Sequence, residues 1–187
     1  LRMNAEGCST TIEFPTDPIM DHEKHNEIVS FIWSIADDVL RDVYVRGKYR
    51  DVILPMTVIR RLDVLLEPTK KDVLEMLQFL EGENIGEKND ALKRQSGYAF
   101  YNTSKFTLNK LLDAPGNLRT NFEKYLDGFS DNVQEIISKF KFRNQLDTLE
   151  EAEVLYLLIQ NFTSPKIHLG PDPIVDDDGE IIHEGLS

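Results

Sequence analysis

The chain has 187 residues, 41% hydrophobic and 29% charged, which suits one soluble domain with tails. No apolar run approaches the roughly 18–20 residues that span a bilayer, which excludes a membrane protein. The single cysteine, Cys8, excludes a disulfide-stapled scaffold and a cysteine zinc finger, and it favours a reducing compartment, by default cytoplasmic. With 21 basic and 33 acidic side chains the net charge of -12 repels phosphate, so any contact with DNA must be local.

Residues 1–20 show no helical period and contain Pro15 and Pro18, which predicts a flexible leader or a cloning remnant. From Asp21 onward, apolar residues recur every three or four positions and predict a first helix. Its apolar face consists of Ile28, Ile32, Ile35, Ala36, Val39, Leu40 and Val43. Trp33 lies at the edge of this stripe, where its ring could serve the core or a partner surface, and core packing is the favoured interpretation.

A second apolar stripe over residues 52–66 predicts the next helix. Pro55 lies inside this stripe. Because a proline within a helix costs roughly 3 kcal/mol, we expect the helix to begin or kink between Asp51 and Pro55. A third helix follows, with Thr69 as its cap and Gly82 as its end.

Shorter helices are predicted in the rest of the chain. They lie around residues 90–94, over 107–112, over 118–126 and after Ser130, which is the expected cap. Thr148–Glu151 has the sequence of a capping box and predicts the start of a last helix, which bears Ala152, Leu155, Ile159 and Phe162. The predicted fold class is therefore all-α, an irregular bundle of six to eight helices over residues 21–164.

Residues 165–187 have an acidic composition, with six carboxylates against the single cation Lys166, and predict a mobile connector. Within it, Ile174-Val175 and Ile181-Ile182 flank an Asp178-Gly179 turn. This pattern predicts a small hairpin, although two strands alone are marginal in water.

No established active-site motif occurs in the sequence: there is no glycine-rich phosphate loop, dinucleotide fingerprint, His-Glu-x-x-His or Gly-x-Ser-x-Gly. The acidic run 176–179 lacks the first and twelfth ligands of a calcium loop, because Ile174 and Gly185 hold those positions. His22 and His25 have no third ligand nearby and are interpreted as an exposed helix end. We therefore predict no catalytic, cofactor-binding or metal-binding residue.

One region departs from the acidic average. Between Arg41 and Lys71, eight basic side chains face four acidic ones, a local net charge of +4. The candidate phosphate contacts in this region are Arg46, Lys48, Arg50, Lys70 and Lys71. Such contacts would position DNA without reading its sequence. The alternative is an ordinary solvated face whose arginines pair with carboxylates, and composition alone favours this alternative.

Three sequence segments in the first half of the chain carry a recognisable family pattern: Phe31–Asp37, Asp51–Asp63 and Leu66–Lys70. Together they resemble the amino-terminal domain of the modification (M) subunit of type I restriction-modification systems. Later strings extend the resemblance to about residues 25–170, namely Phe100–Lys105, Lys110–Leu112, Tyr125–Ser130 and Asp147–Ala152. The family-motif residues that we single out are Trp33, Ala36, Asp37, Pro55, Arg60 and Arg61.

The resemblance implies an adenine-specific DNA methyltransferase that transfers a methyl group from S-adenosylmethionine to adenine N6. It also implies a complex with a specificity subunit, a second M subunit and a restriction subunit. In this family a following domain holds the cofactor and the flipped adenine with an Asn-Pro-Pro-aromatic motif. That motif does not occur here, and Asp17-Pro18 and Asp172-Pro173 are no substitute.

We therefore expect a non-catalytic helical domain that helps to assemble the subunits and to clamp DNA, with residues 165–187 as the connector toward an absent catalytic domain. The alternative hypothesis is a stand-alone protein-interaction module that uses its acidic surface and has no nucleic-acid role.

Overall fold

The computed structural model describes the backbone of residues 22–175 and 181–183, and the side chains of residues 26–173. Within these ranges the chain forms nine α-helices: α1 (His22–Val39), α2 (Arg50–Leu66), α3 (Lys70–Gly82), α4 (Asn89–Ser96), α5 (Leu108–Leu111), α6 (Leu118–Asp127), α7 (Asp131–Phe140), α8 (Arg143–Glu151) and α9 (Leu155–Phe162). Short 3-10 turns, Arg46–Lys48 and Pro115–Asn117, precede α2 and α6. The predicted leader, residues 1–20, and the side chains of His22 and His25 lie outside the described residues.

The all-α prediction is confirmed, and the described residues hold one helix more than the six to eight expected. The additional helix is α8, which occupies the segment where the capping box was predicted. A small hairpin is also present: β1 (Ile174–Val175) pairs antiparallel with β2 (Ile181–His183), with Ile174 opposite His183. The predicted Asp178-Gly179 turn between the strands lies outside the described residues.

The main core lies where α1, α2, α6, α8 and α9 meet. Aliphatic side chains from these helices surround four fully buried aromatic rings, Phe122, Tyr125, Phe142 and Phe162. The rings of Phe122 and Phe142 meet edge to face with centroids 6.0 Å apart, an arrangement that aromatic pairs favour. Because each such side chain contributes about 1.5–3 kcal/mol on burial, these rings fix α6 against the start of α8.

A second, smaller core joins α3 and α4. Val73, Leu80 and Leu92 are its buried members, and Met76, Leu77, Ala91 and Tyr101 pack against them. The two helices contact each other more extensively than they contact the main bundle. We call α3, α4 and the turn between them, residues 70–96, the α3–α4 lobe.

Pro55 is accommodated inside α2 and does not begin it. The helix starts at Arg50, one residue before the predicted interval, so Pro55 lies in its second turn and is buried. A proline there cannot donate the usual backbone hydrogen bond to residue 51. The apolar side chains on both sides of Pro55, Val52, Ile53, Met56 and Ile59, are all buried, and their packing holds the helix across the missing bond.

Neither Thr69 nor Ser130 forms its predicted helix cap. Thr107, for which no cap is predicted, does cap α5, because its hydroxyl accepts from the backbone N–H of Lys110 at 3.3 Å. Thr69 precedes α3 but does not cap it, since its hydroxyl lies 3.3 Å from the carbonyl of Ser96. Ser130 occupies the position before α7, yet its hydroxyl donates to Asn132 Oδ1 at 2.7 Å. The Ser130 hydroxyl also accepts from the Tyr101 N–H at 3.3 Å, so each of the two hydroxyl groups has a partner from a distant segment.

The capping-box prediction at Thr148–Glu151 is wrong. Thr148 lies inside α8, exposed, between the buried side chains Leu146 and Leu149. The last helix, α9, begins only at Leu155, after Glu153 has reversed the chain with a φ of 57°. The same residues can also occupy the solvent-exposed face within a helix, because the polar side chains of threonine and glutamate are hydrated there.

The packed body extends past Ser164, where its end was predicted. Ile167 and Leu169 are buried members of the main core. The guanidinium of Arg61, on α2, donates to the carbonyl of Leu169. A Cβ atom on Gly170 would lie 2.7 Å from a side-chain carbon of Val64, so the backbone closely approaches α2 here. Residues 167–170 therefore belong to the domain, and the acidic composition begins after them.

Candidate nucleic-acid interface

The chain between α1 and α2 is held by two buried side chains. Leu40 follows α1 and Tyr49 precedes α2, and both lie in the main core. The backbone between them turns tightly, with hydrogen bonds from Tyr44 N–H to the Leu40 carbonyl at 2.8 Å and from Lys48 N–H to the Val45 carbonyl at 2.8 Å. Between these anchors the loop has little choice of conformation, and its charged side chains are directed into solvent.

Four cations are exposed on this loop and on the first residue of α2. We call residues 41–50 the basic segment, and its cations are Arg41, Arg46, Lys48 and Arg50. Lys48 and Arg50 share one carboxylate, that of Asp51, at 3.7 Å each. Their side chains remain 66% and 72% exposed, so these ion pairs are weak and leave the cations accessible to a phosphate.

Arg41 and Arg46 line an open depression together with Tyr44 and Tyr49. Within the part of the chain that the structure describes, neither arginine forms an ion pair. Burial raises the pKa of Tyr44, so its phenol stays neutral and can only serve as a hydrogen-bonding group. Asp42 also lines the depression, and the ring of Tyr49 is buried, so the surface presents two arginines, one carboxylate and the Tyr44 side chain. The two arginines give this surface a net positive charge, which suits a phosphate.

Lys70, one of the five predicted phosphate contacts, is not exposed as that prediction requires. It is buried, and its ammonium donates to Asn102 Oδ1 at 2.9 Å and to the Asn102 carbonyl at 3.3 Å. Lys71 is exposed but pairs with Glu75 at 3.6 Å. It also lies at the other end of α2 from the basic segment, about 25 Å along a 17-residue helix.

Lys70 belongs to a set of buried polar residues that we call the polar cluster: Arg60, Asp63, Lys70, Asn102 and Tyr125. Asp63 accepts from the Tyr125 hydroxyl at 2.8 Å, from the Leu108 N–H at 3.2 Å and from Arg60 at 3.3 Å. The Asn102 amide donates to the Tyr125 carbonyl at 3.0 Å, and the Lys70 ammonium lies 5.9 Å from the centre of the Tyr125 ring. The cluster therefore connects α2, α3, α6 and the segment before α5.

Burial dominates the ionisation of this cluster. Removal from water raises the pKa of Asp63, which Tyr125 and Arg60 oppose by stabilising the carboxylate. The same effect lowers the pKa of Lys70 to about 8. Burial also raises the pKa of Tyr125 well above its ordinary value, so this phenol is a permanent donor to Asp63.

Gly128 makes room for the polar cluster. A Cβ atom there would lie 2.5 Å from the backbone nitrogen of Ser104 and 2.7 Å from Asn102 Oδ1. The segment from Tyr101 to Ser104 runs against this glycine, and the Thr103 N–H donates to the Gly128 carbonyl at 2.8 Å. Any larger residue would push Asn102 away from Lys70.

The family-motif residues are mostly structural. Ala36 and Pro55 are buried, and Asp37 is half-buried. Arg60 belongs to the polar cluster, and Arg61 binds the carbonyl of Leu169, so neither is displayed to solvent as a ligand for phosphate. Of the six family-motif residues, Ala36, Pro55 and Arg60 are therefore buried parts of the fold.

Trp33 departs from its favoured interpretation as a core residue. Its side chain is 50% exposed, and Val29, one turn earlier on α1, is exposed as well. The helix packs through Ile32, Ile35, Ala36 and Val39, which places Trp33 on the rim of the buried face. The ring is therefore available to a partner surface.

The sequence analysis did not predict the polar cluster, although two of its residues lie at positions in the sequence that indicate burial. Arg60 and Asp63 occur at helical spacing from the buried residues Met56 and Ile59, so they fall on the apolar face of α2. Charged residues on such a face indicate burial with a partner. The partner Asn102 gave no comparable signal, because it lies in an irregular segment 32 residues after Lys70.

The described residues offer no alternative site of the kinds considered above. They contain no group of three or more histidine, cysteine, aspartate or glutamate side chains placed to hold a metal ion. None of the helices in this part of the chain is both long and apolar enough to cross a membrane. Cys8 and the acidic run 176–179 lie outside the described residues.

The described residues form a mostly helical domain that exposes four cations on residues 41–50, before and at the start of α2, and buries a polar cluster toward the other end of that helix. A family model described as the HsdM N-terminal domain matches residues 28–162. The chain belongs to this family, which is the N-terminal domain of the modification subunit, a methyltransferase subunit, of type I restriction-modification systems. Comparisons with curated proteins and with solved structures return no match.

Proposed function

We propose that this domain clamps DNA and holds subunits together within a type I restriction-modification methyltransferase, with the basic segment resting on the phosphate backbone. Methyl transfer from S-adenosylmethionine to adenine N6 takes place in another domain of the subunit, and the specificity subunit reads the DNA sequence. The domain acts in the cytoplasm, in a complex with a second modification subunit and a restriction subunit.

The observation that carries this proposal is the local reversal of charge. The chain has a net charge of -12, yet Arg41, Arg46, Lys48 and Arg50 are exposed together on a loop that two core side chains hold in place. Phosphate contacts of this kind supply affinity and orientation, and they need no sequence information from the domain.

Assembly is supported by a separate feature. Trp33 and Val29 are exposed one turn apart on α1. Tryptophan is the residue type that most often dominates binding at protein interfaces, because it buries a large rigid surface at little entropic cost. Half exposure of such a ring suits a surface that a neighbouring subunit covers.

The test replaces Arg46, Lys48 and Arg50 with glutamine in the assembled modification and specificity subunits. We expect weaker binding to a duplex that contains the recognition site. The slope of log affinity against log salt should become shallower by roughly one for each lost phosphate contact. Fluorescence anisotropy titrations at several salt concentrations measure both quantities.

A matched control removes three exposed lysines on other elements, Lys124, Lys139 and Lys141, also by glutamine substitution. It changes the net charge by the same amount, so it isolates the position of the cations from their number. An equal loss of affinity in both variants would show a general charge effect and contradict the proposal. Unchanged affinity and slope in the first variant would contradict it as well.

A further inference from the structure

The α3–α4 lobe carries a surface that neither the core nor the basic segment uses. At one end of α3, Lys70 is fixed to Asn102, which ties the lobe to the main bundle. With 13 residues, α3 is about 20 Å long, so its other end lies well away from this attachment. The small core of the lobe is too limited to cover that end.

The far end of α3 exposes two large apolar side chains. Phe79 is 60% exposed, more than any other aromatic side chain in the described residues, and Ile85 is 40% exposed. Two residues after the end of α3, Asn84 has a φ of 55°, and the Ile85 N–H donates to the Leu80 carbonyl at 2.9 Å. This closing geometry fixes Ile85 beside the last turn of α3, within a few residues of Phe79.

The segment that carries these apolar side chains is acidic. Residues 75–88 contain the glutamates Glu75, Glu81, Glu83 and Glu87 and one cation, Lys88. Lys88 pairs with Glu81 at 3.3 Å, and Glu75 pairs with Lys71 at 3.6 Å. Within the described part of the chain, Glu83 and Glu87 form no ion pair. An apolar centre with an acidic rim matches a partner that has an apolar centre with a basic rim.

We propose that the far end of the α3–α4 lobe, with Phe79 and Ile85 at its centre and Glu83 and Glu87 at its rim, docks a protein surface of another polypeptide in the complex. That surface presents an apolar side chain flanked by lysine or arginine. DNA is not the occupant, because its phosphates would meet uncompensated carboxylates. The inference rests on the proposed role in assembly, and it assigns a contact separate from the basic segment.

Site-specific photo-cross-linking tests the docking surface in the complete complex of modification, specificity and restriction subunits with DNA. The photo-reactive residue p-benzoylphenylalanine replaces Phe79 in one protein and Ile136 in another. Ile136 is 43% exposed and lies on α7, outside the lobe, so it reports chance encounters. We expect position 79 to cross-link a peptide of another polypeptide that contains lysine or arginine. Cross-links no more frequent than at position 136, or cross-links to DNA, would overturn the proposal.

A second measurement uses variants of the full modification subunit. Phe79→Ser with Ile85→Ser should weaken subunit association at least tenfold, measured by dilution in mass photometry, whereas Ile136→Ser should not. The charge reversal Glu83→Lys with Glu87→Lys changes only exposed residues and should weaken association by a similar factor. Unchanged association in both lobe variants would overturn the proposal.

The two proposals fail separately. The variant Phe79→Ser with Ile85→Ser should leave the salt dependence of DNA binding by the assembled fraction unchanged, because it alters no charge. Loss of that salt dependence only in the basic-segment variant, together with normal association in the lobe variants, would retain the DNA role and reject the docking surface. Weakened association in the lobe variants, together with an unaltered salt slope in the basic-segment variant, would retain the docking surface and reject the DNA role.

Discussion

At the scale of single residues, Lys70 shows how burial can redirect a charged side chain. The lysine occupies the first position of α3, where sequence reasoning places it in solvent. Asn102 supplies two acceptors, Tyr125 supplies a ring face, and Asp63 supplies a nearby negative charge. Its ammonium is thus a structural tie between α3 and the segment before α5.

The lowered pKa of Lys70 predicts a pH dependence of stability. Its folded pKa is about 8 against 10.5 for an ordinary lysine, so the unfolded chain holds more protons between these values. The free energy of unfolding should therefore rise as the pH increases through this window, and Lys70 should contribute no slope below it. Urea unfolding from about pH 7.5 to about pH 9.5 stays below the range where Tyr125 contributes.

Lys70→Met is the control for this measurement. The variant should lose stability overall, and its free energy of unfolding should rise less with pH than that of the unsubstituted chain. Identical slopes in the two proteins would contradict a lowered pKa for the buried ammonium.

Gly128 provides a second prediction at this scale. Gly128→Ala places a methyl group 2.5 Å from the Ser104 backbone nitrogen, and the resulting strain should lower the free energy of unfolding by about 1–3 kcal/mol or more. Gly116→Ala is the matched control, since nothing lies within 4 Å of a Cβ atom there. Thermal or urea unfolding measures both changes. Equal effects in the two variants would show that the close approach at Gly128 is not constraining.

At the scale of helices, hydrophobic spacing was sufficient to locate most elements. The period of three and four residues identified α1, α2 and α6, because the buried face of each helix is a property of its own sequence. Caps and helix limits were less predictable. The Thr69 hydroxyl donates to the Ser96 carbonyl, the Ser130 hydroxyl accepts from the Tyr101 N–H, and the capping-box sequence at Thr148 lies within α8.

The orientation of α1 is testable through its one tryptophan, which is the only tryptophan of the chain. Acrylamide should quench the fluorescence of Trp33 in the folded chain with about half the efficiency seen after unfolding, because the side chain is 50% exposed. A core position, which the sequence favoured, would leave the ring almost inaccessible to the quencher. Quenching in the folded chain near zero would therefore contradict the exposed placement.

At the scale of the whole molecule, the two cores should differ in stability. Only Val73, Leu80 and Leu92 are buried in the core of the α3–α4 lobe, whereas the main core contains the large aromatic side chains. Regions with few buried contacts open more readily than the rest of a fold. Amide hydrogens of α3 and α4 should therefore exchange faster than those of α2, α6 and α9 in native-state hydrogen exchange. Equal protection in both parts would show that the lobe opens only with global unfolding.

The candidate interface was predictable only in part, for a reason that belongs to this scale. The basic character of residues 41–50 is local in the sequence, so composition revealed it. Lys70 is withdrawn from the exposed cations because it binds Asn102. Arg61 is held by the carbonyl of Leu169, which lies 108 residues further along the chain. Local patterns cannot report such distant partners, and only the folded chain separates the exposed cations from the buried ones.

The contact between Arg61 and Leu169 has a mechanical consequence. Residues 167–170 press against α2, and the first turn of the same helix bears Arg50 and adjoins the rest of the basic segment. The chain is therefore attached to α2 at Arg61 and Val64, immediately before the polypeptide leaves the packed core. If the basic segment contacts DNA as proposed, a displacement of residues 167–170 would also shift Arg50 relative to the duplex, because both are attached to the same helix.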